Sequence, residues 1–201
     1  MTEPRTFTSR FNRGIAVTIW ILVIGMGVLL LTSGMYTTPA RIAAVLIPLG
    51  LVAYIAWLAM WRPRLSVLGD GVEVVNVTHR VWIPWSALID VRTRFALVLF
   101  TPGKKFEVWA APAPGRMSAM RLSRREEQGT KESHRSVGDL LGSDSGDAAF
   151  LVRDRWEQLR DSGQLEGGVA DQARIKRIPH WAELTPLLLG VAVLAALVPA
   201  L

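Results

Sequence analysis

Arg64–Pro112 reads RLSVLGDGVEVVNVTHRVWIPWSALIDVRTRFALVLFTPGKKFEVWAAP, and its reading decides the fold. Leu65–Leu68 and Val72–Val77 flank Gly69-Asp70-Gly71, the turn chemistry of a β-hairpin. Val72 and Val74 alternate with Glu73, as a half-buried strand requires. Val81–Ile83 is a third strand that stops at Pro84, which has no N–H to give a ladder. Ala87–Arg92 resumes, and Phe95–Thr101 turns through Pro102-Gly103-Lys104-Lys105 into Phe106–Ala111. Phe95, Leu97 and Leu99 are expected on one face, and Phe106, Val108 and Ala110 on the facing side of the next strand. Connections this short exclude βαβ crossovers, so the strands form an antiparallel meander.

Uncharged runs lie outward on both sides. Gly14–Ser33 and Ile42–Trp61 each hold twenty residues without charge, and twenty helical residues span about 30 Å, the thickness of a bilayer core. The second run contains Pro48, where a kink is expected, and ends in the interfacial aromatics Tyr54, Trp57 and Trp61. A basic start before an apolar run also describes a signal peptide, but the first run is too long and the second follows at once. Gly25, Gly27 and Gly50 offer close helix packing. Leu184–Leu201 is a third apolar stretch of eighteen residues, near the minimum for a span.

Charge orients these runs. Arg5, Arg10 and Arg13 precede the first, Arg62 and Arg64 follow the second, and only Arg41 lies between. Arg174, Lys176 and Arg177 precede the third. The positive-inside rule places residues 1–13 and the central region 62–162 in the cytoplasm, the 34–41 loop outside and the C-terminus outside. The net charge of +6 then reflects loops beside anionic lipid, and no nucleic-acid-binding motif accompanies it.

The remaining segments complete the domain. Residues 113–146 are rich in Ser, Gly and charge and read as a flexible insert. Within 147–162, DAAFLVRDRWEQLRDS, the spacing of Ala149, Val152, Trp156 and Leu159 predicts an amphipathic helix capping the sheet. Ser145 or Asp147 is its expected cap and Gly163 its close. Residues 163–181 read as a linker.

The segments DGVEVVN, VWIPWSALIDVRTR and TPGKKFEVWAAPAPGR resemble bacterial membrane-anchored PH-like domain proteins of the low molecular weight protein antigen 6 PH-domain family. The matching motifs are Asp70-Gly71-Val72, Ile83-Pro84-Trp85 and Ala110–Pro112. The resemblance implies a PH-like bent antiparallel sheet or partial barrel with a capping helix, and no enzymatic activity. The expected class is thus an α+β membrane protein with an N-terminal transmembrane helical hairpin, this domain and a C-terminal transmembrane helix. A full PH domain has seven strands; five or six are legible here, so the seventh lies in the insert or the barrel is incomplete.

Chemistry is sparse. The chain has no cysteine, which excludes disulfides and thiolate chemistry. His79, His134 and His180 lack metal-ligand spacing, and Ser86 lacks the glycine flanks of a nucleophile elbow. No catalytic, cofactor or metal site is expected. Arg80, Arg92, Arg94, Lys104 and Lys105 form a candidate basic rim toward lipid or a partner. Trp82, Trp85, Trp109 and Trp156 are expected to fill the core. The expected role is a protein-binding or scaffolding module at the membrane, with anionic-lipid sensing as the alternative and an accessory subunit of a membrane enzyme or transporter third. Membrane lipid and a membrane or cytoplasmic protein are the expected partners, and nucleic acid is not.

Overall fold

A computed structural model describes residues 4–93, 95–113, 142–165, 170 and 173–197. Its strands are β1 (Arg5–Phe7), β2 (Arg64–Val67), β3 (Gly71–Val75), β4 (His79–Pro84), β5 (Asp90–Arg92), β6 (Ala96–Thr101), β7 (Lys104–Pro112) and β8 (Lys176–Pro179). Its α-helices are α1 (Arg10–Thr32), α2 (Pro39–Ala56), α3 (Asp144–Asp161) and α4 (Trp181–Leu197). Two compact units result: Met1–Arg10 with Pro63–Ile178, and Phe11–Arg62 with Pro179–Leu201.

The first unit is built from two antiparallel ladders. One has the order β1-β2-β3-β4-β8, the other β5-β6-β7. Opposed residues share a face, so the register Phe7↔Leu65↔Val74↔Val81 stacks one apolar row, and Val67↔Val72↔Ile83 the next. The second sheet contributes Val91↔Leu99↔Phe106 and Leu97↔Val108. These rows, with Ala148, Ala149, Val152 and Leu159 of α3, make one buried core. The helix thus covers the sheets through the stripe its spacing predicts. Trp156 and Leu151 pack on that core partly buried, while Phe150 is exposed.

Among the described residues, the seventh strand is β1. It lies ahead of the first apolar helix, in a segment that composition alone describes as a polar tail. Arg5, Thr6 and Phe7 pair with Val67, Ser66 and Leu65, and the Thr6 and Ser66 hydroxyls meet at 3.2 Å. The entire helical segment is therefore the connection between strands one and two. The Gly69-Asp70-Gly71 hairpin joins strands two and three.

An eighth strand, β8, extends the sheet beside β4. It comes from residues expected to form a linker, because Ile178 and Pro179 give little strand alternation by which to recognise it. Three further boundaries differ from expectation. Phe95 precedes β6 and is 79 % exposed, so it does not join Leu97 and Leu99 in the core. Trp85–Ala87 forms a 3-10 turn that delays β5 to Asp90. The cap of α3 is Ser143, whose hydroxyl accepts from the Gly146 N–H, so the last residues of the expected insert are helical. Residues 114–141 of that insert lie outside the described residues.

Two side chains tie the ladders. Buried Asn76, at the end of β3, donates to the Glu107 carbonyl (2.8 Å) and accepts from the Trp109 N–H (3.0 Å). It thus satisfies β7 backbone groups from the other sheet. Trp85 is 3 % exposed, and its indole N–H donates to the Leu68 carbonyl (3.1 Å) beside the β2–β3 turn. Ser9 donates to Asp144 at the start of α3. Burial holds the Asp144 carboxyl above its ordinary range, with the Ser9 hydrogen bond opposing and nearby Asp147 adding to the rise.

The second unit contains α1, α2 and α4. The helix α1 and the run Pro39–Trp61, whose last five residues form a π-helical turn, each have 23 residues and are long and apolar enough to cross a membrane. α2 stays helical through Pro48. The indole of Trp20 donates to the Ala53 carbonyl (3.0 Å), and Gly27 faces Leu49. These pairs run in opposite directions along the chain, so α1 and α2 form an antiparallel hairpin. Gly25 and Gly50 face open space instead of a neighbouring helix. The described part of α4 has 17 residues. A Cβ on its Gly190 would stand 2.6 Å from a Leu51 methyl, so this glycine permits close approach to α2. Arg62 contacts Glu183 as an ion pair and lies 2.7 Å from His180 Nδ1, while Tyr54 donates to the Glu183 carbonyl (2.8 Å).

Two substitutions test the sheet geometry. A Cβ at Gly71 would lie 2.4 Å from the Ile83 carbonyl oxygen, so Gly71→Ala should destabilise by about 1–3 kcal/mol in thermal denaturation. Asn76→Ala strips two buried β7 backbone groups of their partner and should cost about 2 kcal/mol in the same assay.

Candidate functional site

The expected basic rim divides in the folded chain. Arg80 lies 3.4 Å from Glu73 on the outer face of the first sheet. Arg92 pairs with Asp90 at 2.6 Å and lies over the Phe100 ring on the second. Arg94 lies outside the described residues. Lys104 and Lys105 are the two that share a concavity.

That concavity is a groove of about 530 Å³ lined from both sheets. One wall is the β3–β4 turn, Asn76–His79; another is the start of β7, Lys104–Glu107 with Trp109; Arg177 of β8 closes the third side. Each wall has a local cause. The Asn76 clamp fixes the turn against β7. Pro102-Gly103 reverses the chain into Lys104, with Gly103 at φ +70°, a conformation glycine adopts without steric cost. Alternation along β7 then buries Phe106 and Val108 and turns Lys105, Glu107 and Trp109 outward. β8 brings in Arg177, whose Nη2 lies 3.5 Å from His79 Nδ1; the Thr78 hydroxyl lies 2.9 Å from the same nitrogen.

Electrostatically the groove is positive. Lys104, Lys105 and Arg177 face one carboxylate, Glu107, among its lining residues. Lys104 and Lys105 are exposed, so their charges are presented to whatever enters. Neighbouring Lys176 stands over the Trp82 ring at 5.5 Å, adding a fourth cation beside the rim. No group of three or more His, Asp or Glu residues suited to a metal occurs among the described residues. His79 belongs to the groove, His180 contacts Arg62, and His134 lies outside the described residues.

The tryptophans do not act alike. Trp85 is core, and Trp156 packs against the core from α3. Trp82 is half-buried on the outer face, opposite Glu73. Trp109 is 51 % exposed at the mouth of the groove, because it falls on the outward phase of β7. The alternation of Phe106, Val108 and Ala110 already implied that phase. His79 and Arg177 carry no local signal of a site; only the pairing of β8 with β4 joins them.

Residues 62–139 match the family model described as Bacterial PH domain. Comparison with curated proteins and with solved structures gives no match. A PH-like domain suggests a protein or lipid interaction module.

The contrast between two tryptophans is measurable. Trp85→Ala should cost about 3–5 kcal/mol of stability, as for a buried aromatic. Trp109→Ala should leave the thermal midpoint nearly unchanged, as an exposed position allows.

Proposed function

We propose that the chain is a non-enzymatic interaction module whose PH-like domain is held at the cytoplasmic face of the membrane and binds or scaffolds a protein there. One observation carries this reading. A single sheet takes β1 from before α1, β2 from after α2 and β8 from before α4. If α1 and Pro39–Trp61 cross the bilayer, strand pairing requires both chain crossings to begin and end on one side. The Arg-rich flanks favour the cytoplasmic side. The exposed apolar residues Ile21, Leu22, Ile24 and Leu29 of α1, with Leu188, Leu189 and Val191 of α4, support burial in lipid. α4 would end on the far side. Ile89, Phe95 and Phe150 give the domain surface apolar contact points for a partner.

The absence of cysteine makes the orientation testable by single-site labelling. In sealed right-side-out vesicles, a membrane-impermeant maleimide should label Thr37→Cys directly and Thr78→Cys only after lysis. Equal labelling of both before lysis would overturn the arrangement.

A further inference from the structure

We propose that the cavity between β1, the end of β2 and α3 binds a monocarboxylate carried on a small apolar body. All of its lining residues belong to the first compact unit, so the inference is independent of how the domain is held at a membrane.

Two periodicities build the cavity. Along α3, Leu151, Asp154, Arg155 and Gln158 fall at i, i+3, i+4 and i+7, one face beside the core stripe of Ala148, Val152 and Leu159. Along β1, Arg5 lies two residues before Phe7 and opposes Val67, so it shares the strand face that Phe7 lays on the core. Its guanidinium is exposed at the rim, 3.7 Å from Asp154. Between strand and helix lies a space of about 350 Å³, with Val67, Leu68 and Leu151 as its apolar surface.

The polar groups of this cavity are incompletely matched. The Gln158 amide donates to Asp154 (3.1 Å), whereas the Arg5–Asp154 contact at 3.7 Å is beyond hydrogen-bond reach. The Nε of Arg155 is shielded from solvent and has no hydrogen-bond partner among the described residues. A charged donor withdrawn from water without an acceptor costs free energy, which an entering anion recovers. A carboxylate fits the Nε and a neighbouring Nη side by side, through two parallel hydrogen bonds. Arg5 and Arg155 against Asp154 leave a net single positive charge in the lining, which one carboxylate balances and a phosphate dianion exceeds. The volume lies at the small end for ligand pockets, enough for a short branched chain over the three apolar side chains.

The test uses calorimetric titration of the full chain in phosphatidylcholine nanodiscs. Isovalerate represents a free acid, and N-acetyl-leucine the carboxylate that ends a peptide. N-acetyl-leucinamide has the same apolar body without the charge. At least one acid should bind saturably at a single site, with the amide at least about tenfold weaker, the effect of one charge-assisted hydrogen bond. The tighter of the two acids assigns the source of the carboxylate. Arg155→Gln should weaken that acid about tenfold, with the circular dichroism spectrum unchanged. Asp154→Asn should strengthen it by removing the opposing charge, an outcome that misfolding cannot mimic. Failure of both acids to bind the folded chain would overturn the proposal. Binding of the amide or of inorganic phosphate as tight as that of the acids would do the same, as would acid binding that ignores both substitutions.

Discussion

Pairing between β1 and β2 is the interaction on which the architecture depends. Phe7 and Leu65 are neighbours in space although the whole helical hairpin separates them in sequence. Bringing such distant segments together costs chain entropy, but antiparallel α1 and α2 return the chain to where it left and reduce that cost. The short edge strand then gains backbone hydrogen bonds, the Thr6–Ser66 contact and a place for Phe7 on the core. Without β1, β2 would be an exposed sheet edge.

The form of the groove follows from strand order and from the Asn76 clamp. With the first strand fixed to β2, the turns that alternate along the meander fall at defined ends. The β3–β4 turn lands beside the connections to the apolar helices. Asn76 then couples that turn to β7 in the other sheet, and β8 supplies Arg177. Three segments distant in sequence thus contribute to one positive concavity, while Arg80 and Arg92, outside its lining, are paired with neighbouring acids.

Much of this was legible in the sequence, for identifiable reasons. Alternation at Val72–Val74 and Phe106–Ala110, turn chemistry at Gly69–Gly71 and Pro102-Gly103, and the Ala149–Val152–Leu159 stripe each report a local period. β1 and β8 were not legible, because strands of three and four residues are too short to show alternation and take their conformation from a partner. Trp109 is expected in the core with the other tryptophans, but the phase of its strand points it outward. The groove was half visible: Lys104 and Lys105 were identified together, whereas His79 and Arg177 join them only through strand order.

The central claim is that the segment before the first apolar helix is a strand of the PH-like sheet. Thr6 and Ser66 are direct partners across β1 and β2, and the chain has no native cysteine to confuse a crosslink. The decisive measurement is disulfide formation in Thr6→Cys/Ser66→Cys within native membranes under mild oxidation. The account predicts an intramolecular crosslink that shifts mobility on gels, with none in Thr6→Cys/Thr37→Cys. A 6–66 pair that stays reduced while the domain remains folded would contradict it.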